Sequence, residues 1–446
     1  MNYTKDQVIA LAPDASSMTA AKKLASRSKW PLLGHSDEAV WGHCQGSGGK
    51  PYEVRIDLNG PAFKCSCPSR KFPCKHALAL FLLHADGSGA VAEQPVPDWV
   101  SDWLDKRKSR EKARVSRAEE KAAKPAEPET IAKKQDKRIE TMTSGLNDCE
   151  LWLRDLVANG LASLPGQGYA VWENAAARLV DAQVPGAAGM VLQMAQITAR
   201  GSGPWLRDLT ILMGKLYLLI KAFQRFRELP EDRQADVRTV AGWPIDRDTV
   251  MANGKTVAGT WAVVGESIRD SAKMKEQRVW LREVSTQTAA LVLSFSYGGQ
   301  PPDVSLVPGT CLDAELIFYP GSHPLRALVA KRISAPRPME EMRGEKTIAQ
   351  ALEKYAEAVS LNPWTMLYPL VIENLVPRVV ENRLFFFDKE NRRIPAHASF
   401  RELWECLALS GGHGLTVAGE WTDRSLLPLA FWNGEGWHRF SAELTV

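Results

Sequence analysis

The run Phe63-Lys64-Cys65-Ser66-Cys67-Pro68-Ser69-Arg70-Lys71-Phe72-Pro73-Cys74-Lys75-His76-Ala77-Leu78 decides how this chain is read. Its spacing, C-x-C-x6-C-x-H, gathers four soft or borderline metal ligands, Cys65, Cys67, Cys74 and His76, into twelve residues. Zinc takes four such ligands in a tetrahedron, and a closed Cys3His set leaves no open position for catalysis. Two cysteines one residue apart at a strand end can aim both sulfurs at one point. A cysteine and a histidine with the same spacing at a helix start approach from the opposite side. Pro68 and Pro73 shape the loop between the pairs and bring no competing amide. Lys64, Arg70, Lys71 and Lys75 offset the negative charge of three thiolates and favour their ionised form. The same four basic residues are the candidate contacts for nucleic acid or a partner. A redox role calls for C-x-x-C, which is absent, and the tight pairs with a histidine favour zinc over an iron–sulfur cluster.

Working outward, the sequence predicts strands over 39–45 and 52–58, the second alternating apolar and charged residues at period two. Asn59-Gly60 is a hairpin signal leading into the first ligand, and a helix is expected from Lys75 to His84. Two short helices precede the strands, over 6–11 and 17–26, with Thr19 as the expected cap of the second. Phe72 is the one large apolar residue of the ligand loop, so the module is expected to lean on its metal for order. His43 and Cys44 are neighbours on a strand and point to opposite faces, so at most one could reach the metal. His84 suits a helix end and its dipole. Cys149, Cys311 and Cys406 sit in apolar surroundings and read as small core residues.

Charge is distributed unevenly. The chain carries +4 overall, but residues 1–104 carry +1, residues 105–138 carry +6 and the remainder −3. The basic segment lacks aromatic residues and mixes acids among its lysines and arginines, which reads as a charged, partly helical linker. Just before it, Asp98 is expected to cap a helix with Trp99 and Trp103 on one face. After it, Ile139, Met142, Leu146, Cys149, Leu153 and Leu156 step by three and four along an amphipathic helix. From about residue 256, strands bounded by Gly and Pro take over, and Pro428 is expected to confine its strand to a sheet edge. The expected fold is therefore α+β and multidomain. A ββα-type finger module occupies 1–95 with its core at 52–84, a Trp-containing helix and linker 96–138, a helical block 139–254 and an α+β block 255–446.

The ligand spacing, with a strand before it and a helix after it, resembles the SWIM zinc finger. The wider stretch from Ala39 to Leu83, with Pro97–Leu104 and Leu151–Leu156, is similar to bacterial SWIM zinc finger family proteins. That resemblance implies one structural Zn2+ held by Cys65, Cys67, Cys74 and His76, in a module that binds DNA or protein. Bacterial relatives are often encoded near AAA-type ATPases and von Willebrand A proteins, which implies a protein complex.

No catalytic constellation accompanies the finger. H-E-x-x-H, G-x-S-x-G and G-x-G-x-x-G are absent, and Gly46-Ser47-Gly48-Gly49-Lys50 runs into Pro51 and a strand, unlike a phosphate loop. Trp421, Trp432, Trp437 and His438 read as an aromatic core with exposed edges. The expectation is a zinc-binding scaffold or adaptor, with nucleic-acid binding as the alternative and an enzyme last. No apolar run is long enough to span a membrane and no secretory signal is visible, so a cytoplasmic location is expected.

Overall fold

Two capped helices open the chain. Helix α1 (Lys5–Ala10) carries a capping box between Thr4 and Gln7, and α2 (Ala15–Leu24) is capped by Asp14, whose carboxylate accepts from the Ser17 amide at 2.7 Å. Thr19, the cap expected from sequence, instead donates to the Ala15 carbonyl inside the helix. The computed structural model describes residues 3–45, 50–69, 71–109, 128–166, 168–200, 204–243, 245–270, 274–297, 305–422, 424–440 and 443–445.

Four antiparallel strands follow in sequential order: β1 (Leu32–His35), β2 (Ala39–Cys44), β3 (Tyr52–Asp57) and β4 (Ala62–Cys65). Strand β1 escaped the sequence reading because it is only four residues long and holds Gly34. That glycine is required, since a Cβ there would lie 2.8 Å from the Trp41 ring. Helix α3 (Lys75–Ala85) lies against the sheet on one side and α1 and α2 on the other, so every residue from His76 to Leu83 is buried. Val8, Met18, Trp30, Val54, Ile56 and Phe81 complete a core well beyond what a bare finger offers. The expectation that this module is poor in core is therefore corrected; the helices and β1 supply apolar cover that the ligand loop lacks.

Across the other face of the sheet lies a fourth helix, α4, over residues 98–109. Val100 and Leu104 pack on Ala39 and Trp41, and the Arg55 guanidinium sits 4.9 Å from the Trp99 ring and 5.9 Å from Trp103. Arg107 pairs with Asp57 at 3.1 Å and Lys108 with Glu38 at 2.9 Å. The first residues of the basic segment are thus held on the sheet, and residues 128–138 form the opening turns of α5 (Pro128–Ala158). Residues 110–127, where the rest of the expected linker falls, lie outside the described residues.

Helices α5, α6 (Ala170–Asp181), α7 (Pro185–Arg200), α8 (Trp205–Gln224) and α9 (Glu231–Ala241) pack into a bundle. The seam read from sequence faces its centre: Met142, Leu146, Cys149, Leu153 and Leu156 are all buried. Helix α9 lacked a clear apolar period and was not foreseen; only Ala235, Asp236, Val237 and Ala241 on it are buried.

A short helix, α10 (Arg247–Asn253), leads into the C-terminal block. One sheet, ordered β10-β8-β5-β6-β7, contains β5 (Lys255–Asp270), β6 (Met274–Glu283), β7 (Ala289–Tyr297), β8 (Thr310–Phe318) and β10 (Arg337–Pro338), with β9 (Ala327–Arg332) beside β8. Helix α11 (Ile348–Leu361) precedes the second sheet: β11 (Tyr368–Val380), β12 (Arg383–Phe387), β13 (Arg393–Pro395), β14 (Leu415–Trp421), β15 (Leu426–Trp432) and β16 (Trp437–Arg439). Helix α12 (Leu403–Ser410) sits between β13 and β14 in the chain. Ala262, Val264 and Trp280 of the first sheet meet Val371, Ala418 and Leu429 of the second. Strands β11 and β12 were not foreseen, and Pro428 does not confine β15 to an edge, because β15 lies between β14 and β16. The register slips between Ala418 and Gly419 where Pro428 sits, so the missing amide falls at an interruption of the ladder. Among the described residues, no helix is long and apolar enough to cross a membrane.

Candidate metal centre

Local structure explains each ligand position. Cys65 ends β4 opposite Val54 on β3. The next residue, Ser66, is pinned to β3 twice: its amide donates to the Glu53 carbonyl at 3.0 Å, and its hydroxyl accepts from the Glu53 amide at 2.9 Å. The chain therefore stays extended for one more step, and Cys65 and Cys67 share a face. Cys74 stands at the N-cap of α3 and His76 in its first turn, where the free amides and the helix dipole favour a thiolate. One ligand atom from each of Cys65, Cys67, Cys74 and His76 lies within 4.8 Å of all the others.

The four groups shape one another's chemistry. The Cys65 sulfur is 3.8 Å from His76 Nδ1, and the His76 ring leans on Tyr52 with centroids 4.8 Å apart. A hydrogen bond from Cys65 is the main influence holding the Cys74 thiol down, with His76 and the Ala77 amide adding to it. The same pairing, and then burial, push Cys65 up. Three crowded sulfurs ionise together only beside a cation, and a soft, tetrahedral donor set of three sulfurs and one imidazole nitrogen fits one structural Zn2+.

Around this group the basic residues separate. Lys64 and Lys75 are exposed, whereas Lys71 pairs with Asp14 at 2.8 Å and reaches Ser16 Oγ at 3.2 Å, tying the ligand loop to the start of α2. Asp14 gave no sign of this in the sequence, because its cap role and its ion pair both depend on the tertiary approach of α2. Arg70 lies outside the described residues. The other residues weighed as ligands stay apart from the group. Cys44 is buried in β2, where burial pushes its thiol up to about 11. His43 stacks near Trp99, and His84 meets His35 edge to face at 5.3 Å. Burial keeps His84 neutral, so it does not serve the α3 dipole as the sequence suggested. Cys149 and Cys406 are buried as expected, and Cys311 is half-buried.

Residues 52–85, running from the first residue of β3 to the last of α3, match the SWIM zinc finger family. The chain carries a SWIM zinc finger. Residues 137–241 match the SWIM-associated four-helix bundle domain, which covers the bundle from α5 to α9. Helices α1 and α2 and strands β1 and β2 lie outside the SWIM match although they wall in its helix. Neither a curated protein nor a solved structure matches the chain.

Proposed function

We propose that the SWIM finger works as a zinc-stabilised protein-docking module within a scaffold or adaptor, with Cys65, Cys67, Cys74 and His76 as its zinc ligands. The observation that carries this reading is the burial of α3. Its residues from His76 to Leu83 are all enclosed. A helix that reads DNA must lay a polar face in the major groove, and this one has no face to offer. Lys71 supports the same conclusion, because its charge is already met by Asp14.

What the finger does present is a groove of about 510 Å3 between α2 and the ligand loop, lined by Ser16, Ser17, Tyr52, Ser69, Lys71 and Lys75 among others. Hydroxyls and amines in a shallow cleft suit the backbone and side-chain acceptors of a protein segment. An AAA-type ATPase or a von Willebrand A protein, the partner class implied by the family resemblance, is the first to test. The purified chain should bind such a partner, and Ser16→Trp, which fills the groove from the α2 side, should abolish binding; because Cys67 and His76 also line the groove, zinc content measured on the same variant separates a blocked groove from a disturbed metal centre. Tight, salt-dependent binding to duplex DNA that disappears in Lys64→Ala/Lys75→Ala would decide for the nucleic-acid alternative.

A further inference from the structure

The helical bundle holds two arginines that converge on one tryptophan. Arg138 comes from α5 and Arg238 from α9, and each places its guanidinium carbon 4.7 Å from the centre of the Trp243 ring. Trp243 lies just past α9 and is folded back over it, its amide donating to the Arg238 carbonyl at 2.8 Å. The ring stacks on Phe226 with centroids 6.4 Å apart, and Phe226 stacks in turn on Phe223 at 5.3 Å. Both phenylalanines belong to the bundle core, so the platform beneath the two arginines is anchored there.

Neither arginine meets an anion among the described residues. No hydrogen bond or ion pair is made by either guanidinium, although both side chains are half-buried and the Nε of each is enclosed without an acceptor. Burial lowers the Arg238 pKa, with no carboxylate acting against it. The neighbouring arginines are already matched: Arg227 pairs with Asp136 at 2.7 Å and Arg225 with Glu228 at 2.8 Å. Lys134, one turn before Arg138 on the same side of α5, is exposed. Three cations therefore stand together with no paired acid. Two guanidiniums brought to one ring repel each other, and a guanidinium set against a ring keeps its N–H edges free for a planar acceptor.

The charge pattern selects the occupant. Acids interrupt the basic run along both elements: Asp136 and Glu140 on α5, Glu228 ahead of α9 and Glu231 at its start. A nucleic-acid backbone calls for an unbroken track of cations, which these acids deny it. Two forks sharing one ring match instead a pair of neighbouring carboxylates. We propose that Arg138, Arg238 and Lys134 dock an acidic segment of a protein partner, with adjacent Asp or Glu side chains held by the two arginines. The site rests on the reading of the chain as a scaffold only in taking a protein as the partner, and it needs nothing from the finger groove.

The test titrates the full-length, zinc-loaded protein into fluorescein-labelled hexaglutamate and reads anisotropy, with hexaglutamine and a single-stranded DNA hexamer measured beside it. Hexaglutamate should bind saturably and more weakly as salt is raised, and hexaglutamine should not bind. Arg138→Gln/Arg238→Gln should weaken hexaglutamate by about tenfold or more. Lys134→Ala, at an exposed position, should weaken it by a few-fold and keeps the test decisive if the arginine variant fails to fold. Ser16→Trp should leave hexaglutamate binding unchanged, so a loss at the finger groove and a loss at this site are read apart. Absence of saturable hexaglutamate binding to the wild-type chain, equal binding of hexaglutamine, tighter binding of the DNA hexamer that is lost in the same arginine variant, or unchanged hexaglutamate binding in Lys134→Ala together with any folded arginine variant, would overturn the proposal.

Discussion

The side-chain amide of Gln7 donates to the backbone carbonyl of Gly309 at 2.7 Å, a buried hydrogen bond between residues 302 positions apart. It is not isolated. Val307 is buried within the core that surrounds α3, and a Cβ on Gly60, whose φ is +153°, would strike the Arg332 guanidinium at 2.6 Å. Arg332 in turn donates to the Ser305 carbonyl at 2.8 Å and to its hydroxyl at 2.9 Å. The segment ahead of β8 is thereby packed into the finger module.

Val307→Ala should therefore destabilise the finger and not only the sheet to which Val307 is joined in sequence. Removal of a buried branched side chain should cost about 1–3 kcal/mol in denaturant unfolding. Hydrogen exchange should speed up in α3. Unchanged α3 protection in a protein that has lost stability would mean that the contact is unimportant to the finger.

The purified chain should hold about one zinc, and Cys67→Ala/Cys74→Ala should hold none. Metal analysis of both proteins settles the point. Because α3 rests on its own apolar core, a strong chelator should release exchange protection chiefly in the ligand loop, over 66–74, with α3 itself keeping much of its protection.

His84 provides a pH signature. Burial first, and then the nearby His35, push it down to about 4. Between the ordinary histidine pKa of about 6.5 and that lowered value, the unfolded chain binds a proton that the folded chain refuses. Stability is accordingly present above about pH 6.5 and lost as the pH falls through this window. His84→Gln should flatten that part of the stability profile. A variant with the wild-type slope there would show that another group is responsible.

Glu420 should be the most sensitive acidic residue between the two C-terminal sheets. It is fully buried and accepts from Arg278 Nε and Nη2, Trp280 and Ser267 at 2.7–2.9 Å. Burial pushes its pKa up, but the Arg278 ion pair and the other two donors outweigh that, so the folded value lies below the usual glutamate range. Its contribution is present above about pH 4.3 and is lost as the pH falls further. Glu420→Gln leaves Arg278 buried with only Glu276 as a counter-ion and should cost about 3–5 kcal/mol in chemical denaturation at neutral pH.

The metal ligands were legible in the sequence because their geometry is local. Period two along an extended chain aligns Cys65 with Cys67, and a helix start places Cys74 near His76. The α5 seam was legible for the same reason, since its steps of three and four need no knowledge of a partner. Strands β11 and β12 were hidden by Pro369 and Pro377, and by a turn at Glu381-Asn382 in which both residues take positive φ, 50° and 61°, without a glycine to announce it. The pairing of Arg278 with Glu420 joins residues 142 positions apart, and no local pattern encodes it. The cluster of Arg282, Glu345 and Lys354 was likewise invisible, because its members meet only after two sheets and a helix have assembled.

The enclosure of α3 limits how this finger can be handled as a unit. Residues 52–85, cut out alone, would carry Leu78, Leu80, Phe81 and Leu83 into water, because α1, α2, β2 and Val307 that cover the helix would be left behind. Such a peptide would gather its zinc and still self-associate through that bared apolar helix. Grafting the motif onto another protein transfers the ligands without the lid that keeps them soluble; a transplantable domain begins at α1 and has to bring the strap around Val307 with it.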